Sequence, residues 1–256
     1  MKKVVLNQKY GHLKDFVNHI DEIFDVQGEL VYKKRNTVKR FVPTNGTTVI
    51  AKRYKRPNII QQAGYTLYRP SKARRAYEFA LKLEELGIDT PEPIAYIELW
   101  KHGIFTTGFF ISTENNDHSC KDLYTENNSD LDLKEKEALE EGLMEFIVGC
   151  QEKGFMHGDT NLSNFLYHKD GQGLHFAVID INRSKFVTTP PSQEQCLDNL
   201  MRLTHEKDLL TRLVGKYASI RGWDVKTCQD YVLTKLEKFE RKKKLLKSRP
   251  KKSLNK

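Results

Sequence analysis

The stretch His157-Gly158-Asp159-Thr160-Asn161-Leu162-Ser163-Asn164 constrains this chain more than any other feature. It follows a long helical segment, residues 133–151, and precedes two short β-prone runs, residues 165–167 and 175–179. The second run delivers Val178-Ile179-Asp180. Phosphoryl transfer needs one carboxylate to orient an attacking hydroxyl and take its proton. It also needs an amide oxygen and a second carboxylate to hold magnesium against nucleotide phosphates. Asp159, Asn164 and Asp180 supply these groups from one loop and one strand end. A plainer reading makes Asp159 a cap, Asn161 and Asn164 turn formers and Asp180 the end of a strand. The surrounding order of helix, loop and strand pair favours the chemical reading.

The rest of the chain supplies a scaffold for such a loop. Residues 28–32 (GELVY) and 38–42 (VKRFV) read as strands around the cationic turn Lys33-Lys34-Arg35-Asn36-Thr37. Asn45-Gly46 is a hairpin signal leading into the β-branched run TTVIAKRY at residues 47–54. From Ser71 the period becomes helical through Ala73, Tyr77, Ala80, Leu83 and Leu86, with Ser71 as the cap and Gly87 as the stop. Residues 94–99 and 105–113 form another antiparallel pair around Lys101-His102-Gly103. Residues 114–132 are polar and loop-like, and everything after Ser192 reads as helices broken near 203–205 and 221–223. Strands first and helices later, with one helix among the strands, indicate an α+β fold: a small antiparallel β-sheet lobe with one helix and a larger, mainly helical lobe. The boundaries expected are 1–114 for the first lobe, 115–240 for the second and 241–256 for a basic tail.

Composition excludes several classes. Hydrophobic residues make up 38% and charged residues 30% of 256 positions, which rules out collagenous, mucin-like or wholly disordered chains. No apolar run approaches the ~18 residues of a membrane span, and only residues 4–6 follow the two N-terminal lysines, too few for a secretory core. Cys120, Cys150, Cys196 and Cys228 are widely spaced with no C-x-x-C, which suits reduced thiols in a cytosol rather than disulfides or zinc. The expectation is a soluble, cytoplasmic protein. The net charge of +9 has a location: residues 241–256 hold nine Lys/Arg and no acid, and residues 1–240 are formally neutral. On that balance the basic character belongs to the tail, which argues against a uniformly basic nucleic-acid-binding domain and for an adhesive arm. The arm's partner is read as an anionic membrane surface, with a solvated tail as the alternative.

HGDTNLSNFL followed by VIDINRSKF resembles the catalytic and metal-binding loops of the protein-kinase-like fold. More narrowly it resembles bacterial lipopolysaccharide core kinases, which phosphorylate heptose or Kdo sugars. VIAK at residues 49–52 is similar to the third-strand lysine motif of that family, and residues 71–98 to its first helix and the following strand. The resemblance covers about residues 28–190 and implies a bilobal kinase fold, ATP and Mg²⁺ as cofactors, and a lipid A-linked core sugar as acceptor. It implies Lys52 on the α/β-phosphates and Glu78 holding Lys52, although Glu78 also stands four residues from Lys82 for a surface pair. It further implies Asp159 as catalytic base, with Asn164 and Asp180 on magnesium.

The departures from the pattern are informative. No glycine-rich phosphate loop is present; Lys33, Lys34 and Arg35 occupy that hairpin, either meeting phosphates through cations and backbone or forming a solvated turn. Gly158 stands where eukaryotic protein kinases carry arginine, Asp180-Ile181-Asn182 replaces D-F-G, and no A-P-E follows. These features point away from a regulated protein kinase and towards a sugar kinase of the lipopolysaccharide inner core, working peripherally on the inner face of the cytoplasmic membrane. The competing readings are a soluble aminoglycoside- or choline-type kinase, an atypical protein kinase, or a catalytically dead scaffold. Arg183 is read either as a contact for an anionic acceptor or as a structural ion pair.

Overall fold

Alternating burial along β4 (Val49–Arg53) shows how the main sheet is used: Val49 and Ala51 are fully buried on one face, and Ile50 and Lys52 are half-buried on the other. The computed structural model describes residues 1–43, 46–124 and 132–248, and side chains as far as residue 245. Asn45 of the expected hairpin, and Pro250 and Leu254 of the tail, lie outside the described residues. The chain divides into two compact units, residues 1–118 with 177–184, and residues 119–176 with 185 onward.

The first unit is built on a six-stranded sheet of order β1-β5-β6-β4-β3-β2. Its members are β1 (Lys2–Leu6), β2 (Glu29–Lys33), β3 (Thr37–Phe41), β4, β5 (Pro93–Lys101) and β6 (Ile104–Thr113). The pairings are antiparallel, with Lys52 opposite Val38 on one side and Phe110 on the other. One face is covered by α1 (Lys14–Ile23), whose Val17 and Ile20, with the following Phe24, recur at helical spacing and are wholly buried against Val49, Ala51, Phe109 and Ile111. Truncating one of the central rings, such as Phe109, costs about 3–5 kcal/mol. The other face carries α3 (Lys72–Glu85), packed through Ala73 and Tyr77 on Tyr54 and Tyr96. Ser71 caps α3 by accepting from the Arg74 amide at 3.1 Å.

A single helix was expected among these strands, and the structure holds three. Besides α3, the first 27 residues contribute β1 and α1, and α2 (Ile59–Leu67) precedes α3. Sequence periodicity missed α1 because its buried positions are only two among polar neighbours, and missed α2 because none of its residues is buried.

The second unit is mainly helical. It contains α4 (Leu133–Glu152), α5 (Gln193–Leu200), α6 (Lys207–Arg221) and α7 (Val225–Ser248). Asp132 and Glu135 close a capping box at the start of α4, and Leu143, Met144 and Ile147 bury its inner face. The spacing of Cys228, Val232 and Leu236 on α7 is that of a docked face, and all three are wholly buried. Short strands complete the unit: β7 (His118–Ser119) at the junction, β8 (Phe155–Met156), β9 (Phe165–Asp170), β10 (Gly173–Val178) and β11 (Lys185–Phe186). The β8–β11 pairing aligns Met156 with Lys185 and leads directly into His157. Gly154, just before it, has φ +80° and a Cβ there would lie 2.6 Å from the Val187 carbonyl oxygen, so the chain turns there only with glycine. None of the four cysteines is in a disulfide, and all are buried. Among the described residues no helix is long and apolar enough to cross a membrane.

Candidate active site

In the first unit the residues gather around Asp180. The strand end that carries it is tied to the turn after α3: the Val178 amide donates to the Asp89 carbonyl at 2.9 Å, and Thr90 Oγ1 donates to the Val178 carbonyl at 2.8 Å. Asp180 then adopts a left-handed conformation, φ +56° and ψ +41°, at the entrance to a short 3₁₀ turn, Ile181–Arg183. Such a backbone is costly for a non-glycine residue and is held by its surroundings. Here the buried Asn182 donates from Nδ2 to Asp180 Oδ1 at 2.6 Å, and Lys52 Nζ reaches the same oxygen at 2.6 Å. Lys52 also lies 5.6 Å from the centre of the Tyr54 ring. The phenol of Tyr54 titrates well above its ordinary range because it is buried and faces the Asp180 charge.

A set of cations surrounds this pair. Lys72, in the first turn of α3, is pushed down to about 8 by burial and then by the neighbouring charges of Arg35, Arg183 and Arg75. Arg75 is itself partly desolvated, and its Nε is buried without a hydrogen-bond partner. One carboxylate thus stands among five cationic side chains, Lys52, Lys72, Arg75, Arg183 and Arg35. An anion with several oxygens is the ligand that such a cluster would accept, since each oxygen satisfies donors that now repel one another.

The second unit holds a group of its own around His157 and Asp159. His157 is buried between Phe155 and Phe165, and its Nδ1 accepts from the Asp159 amide at 3.1 Å, which assigns the ring proton to Nε2. The loop is closed by Thr160 Oγ1 donating to the His157 carbonyl at 2.9 Å and by Asn164 Nδ2 donating to the Asp159 carbonyl at 2.8 Å. The second bond turns the amide oxygen of Asn164 into the atom left to ligate a cation. Asp159 Oδ1 is paired with Arg202 Nη2 at 2.6 Å, and Arg202 lies over the Phe239 ring at 5.2 Å. From α5, Asn199 Nδ2 donates to the His157 carbonyl at 2.7 Å and to Thr160 Oγ1 at 3.0 Å, and its Oδ1 accepts from the buried Gln151 at 3.2 Å.

The structure brings Lys52 to Asp180 and Asn164 to Asp159. It does not bring Glu78 to Lys52: Glu78 Oε1 accepts from Arg74 Nε at 2.7 Å, one helical turn away, with both side chains about 40% exposed. Lys34 and Arg35 line a cleft of about 510 Å³ with Lys55 and Arg56, whereas Lys33 ends β2 as an exposed residue. Arg202, Asn199 and Lys72 are additions. Nothing in the spacing announces Arg202 or Asn199, which stand about 40 residues after the loop that they hold. Lys72 had a signal: residues 30–77 contain thirteen Lys/Arg and no Asp or Glu. The neutral sum over residues 1–240 concealed this run, so the basic character does not belong to the tail alone.

Asp180 and the side-chain oxygen of Asn164 are hard ligands suited to Mg²⁺, and the cation cluster suits a polyphosphate. Each unit thus carries groups of the kind that phosphoryl transfer uses. The chain matches the model of the lipopolysaccharide kinase (Kdo/WaaP) family over residues 33–216, and it belongs to that family. Its fold is that of WaaP, solved in complex with acyl carrier protein, at a TM-score of 0.61 and 17% identity over 95% of this chain and 99% of that one. A pseudokinase domain of BIR2, an immune regulator of the RLK/Pelle family, aligns at a TM-score of 0.46 and 14% identity over 92% of this chain and 81% of that one. No curated protein matches by sequence.

Proposed function

We propose that this chain is an ATP-dependent kinase that phosphorylates a hydroxyl of a Kdo or heptose sugar in the lipopolysaccharide inner core, working on a lipid-linked acceptor at the cytoplasmic face of the membrane. The observation that carries this reading is the Lys52–Asp180 ion pair within a cluster of otherwise mutually repelling cations. Lys52, Lys72 and Arg35 would bind the nucleotide phosphates, and Asp180 in the first unit and Asn164 in the second would each offer magnesium an oxygen ligand. ATP·Mg²⁺ supplies the transferable phosphoryl group and the charge neutralisation. Asp159 orients the acceptor hydroxyl and takes its proton, and Arg202 keeps Asp159 aimed until the acceptor arrives. Asn199 and Thr160 fix the backbone from which Asp159 projects. The acceptor sugars carry carboxylates or phosphates, which suit Arg183 and Arg75.

The test is transfer of labelled phosphate from ATP to purified lipid-linked Kdo and heptose acceptors. Mass spectrometry of core oligosaccharide then locates the added phosphate. Labelling of casein-like proteins with none on core sugars would refute the assignment.

A further inference from the structure

Helix α2 is built the wrong way round for a soluble unit. Its polar side faces the protein: Thr66 Oγ1 accepts from the Phe105 amide at 3.1 Å, and the Tyr65 ring stands edge-on to Phe105 at 5.5 Å. Its aliphatic side faces outward, with Ile59 83%, Ile60 84% and Leu67 77% exposed, and Tyr68 at its end 82% exposed. At about 100° per residue Ile59, Ile60, Ala63 and Leu67 fall on one stripe. A contiguous apolar surface of this kind on a soluble unit marks an interaction site.

The charges around the stripe say what it meets. Exposed Lys55 and Arg56 precede α2 and exposed Arg69 follows it. Lys55 and Arg56 share their cleft with Lys34 and Arg35, and no acidic side chain is among the residues that line it. Arg53, at the margin of that cleft, is held by Asp25 at 2.7 Å. We infer that α2 and its flanking cations dock the first unit onto an anionic lipid bilayer, the aliphatic stripe entering the acyl boundary and Lys55, Arg56 and Arg69 lying among the headgroup phosphates. A protruding aliphatic ridge with cations at its ends matches a surface that is apolar below and anionic above. An RNA ligand would call for several exposed aromatic platforms along the ridge, where the outward residues are isoleucine, alanine and leucine with Tyr68 alone at the end. This inference deepens the reading of a lipid-linked acceptor and rests on it for its purpose. It adds a membrane contact at residues 55–69 to the one expected of the basic tail.

The experiment is co-sedimentation of the full chain with phosphatidylethanolamine/phosphatidylglycerol vesicles and with phosphatidylcholine vesicles, at about 0.15 M salt, where the Debye length is ~8 Å. The double variant Ile60→Gln/Leu67→Gln alters only exposed side chains, and an unchanged circular-dichroism melt confirms its fold. Its partition onto anionic vesicles is expected to fall by roughly tenfold or more, the loss of two buried aliphatic side chains. Lys55→Gln/Arg56→Gln is expected to lower partition roughly tenfold and to erase the preference for the anionic lipid. Lys242→Gln/Lys243→Gln/Lys244→Gln in the tail is expected to change it less than either. Wild-type partition by the α2 double variant overturns the inference. So does capture of the wild type by a soluble acidic protein or by RNA with no vesicle binding. Phosphate transfer to a deacylated, water-soluble core acceptor separates the two readings. Vesicle binding through α2 without any transfer refutes the kinase assignment and leaves the docking standing, whereas transfer without vesicle binding refutes the docking alone.

Discussion

Lys72 offers a test in which stability and ligand binding move in opposite directions. In the absence of an anion its ammonium is half-buried beside Arg35, Arg183 and Arg75, and its pKa falls from 10.5 to about 8. Full conversion of that difference gives at most about 3 kcal/mol of folded-state cost, from burial first and cation repulsion second, and partial exposure reduces it to about 1–2 kcal/mol. Lys72→Met keeps the length and the apolar stem and removes the charge. The nucleotide-free protein is therefore expected to melt about 2–6 °C higher at pH 7. The pH dependence has a definite sign. Between pH 8 and 10.5 the unfolded chain holds a proton on Lys72 that the folded chain has released, so wild-type stability rises with pH through this window. The advantage of the variant is full below pH 8 and vanishes near pH 10.5. With ATP·Mg²⁺ the order reverses: losing a charged contact to phosphate weakens nucleotide affinity about tenfold or more. Differential scanning fluorimetry across this pH range, with and without nucleotide, reads both effects. A variant that melts at or below wild type at pH 7, or whose gain persists unchanged at pH 10.5, refutes the crowded-cation account of this site.

Other expectations follow from individual contacts. Asp159→Ala is expected to lower transfer by at least about a hundredfold while nucleotide affinity, read by fluorimetric shift, stays near wild type. Asp180→Ala is expected to lose both turnover and the magnesium dependence of nucleotide binding, because it removes a metal carboxylate and the partner of Lys52. Asn199→Ala removes one of the two donors to the His157 carbonyl and the donor to Thr160 Oγ1, and is expected to cost about 1–3 kcal/mol in urea unfolding and to lower kcat more than it raises KM. Glu140 is buried and accepts from Arg212 at 2.7 Å and from Tyr124 at 3.0 Å, with Lys216 at 3.9 Å. Arg212→Ala is expected to cost up to about 3–5 kcal/mol, less whatever Lys216 recovers, and Glu140→Gln in the same chain is expected to restore part of it.

How much of this was legible in the sequence depends on how local the cause is. Ser71, the helix at 72–85, the hairpin around His102-Gly103 and the helix α4 were readable because caps, turns and period act within a few residues. The Asp159–Asn164 loop was readable for the same reason: its bonds to His157 and Thr160 close within eight positions. Lys52 and Asp180 are 128 residues apart and were matched by motif, and the fold brings Lys52 Nζ to Asp180 Oδ1. Tertiary structure decided the rest. Glu78 had Lys52 and Lys82 as partners on paper, and the geometry gave it Arg74 instead, because a pair one turn away needs no fold to form. Arg202 reaches Asp159, and Asn199 reaches His157, only because α5 packs its end against the loop, and no spacing rule encodes such a contact. The outward face of α2 is the sharpest case. Its sequence shows apolar residues at helical spacing, a pattern that ordinarily means core. Which side of a helix is wet is a property of what lies across from it, and here Phe105 takes the polar side and leaves the isoleucines outside.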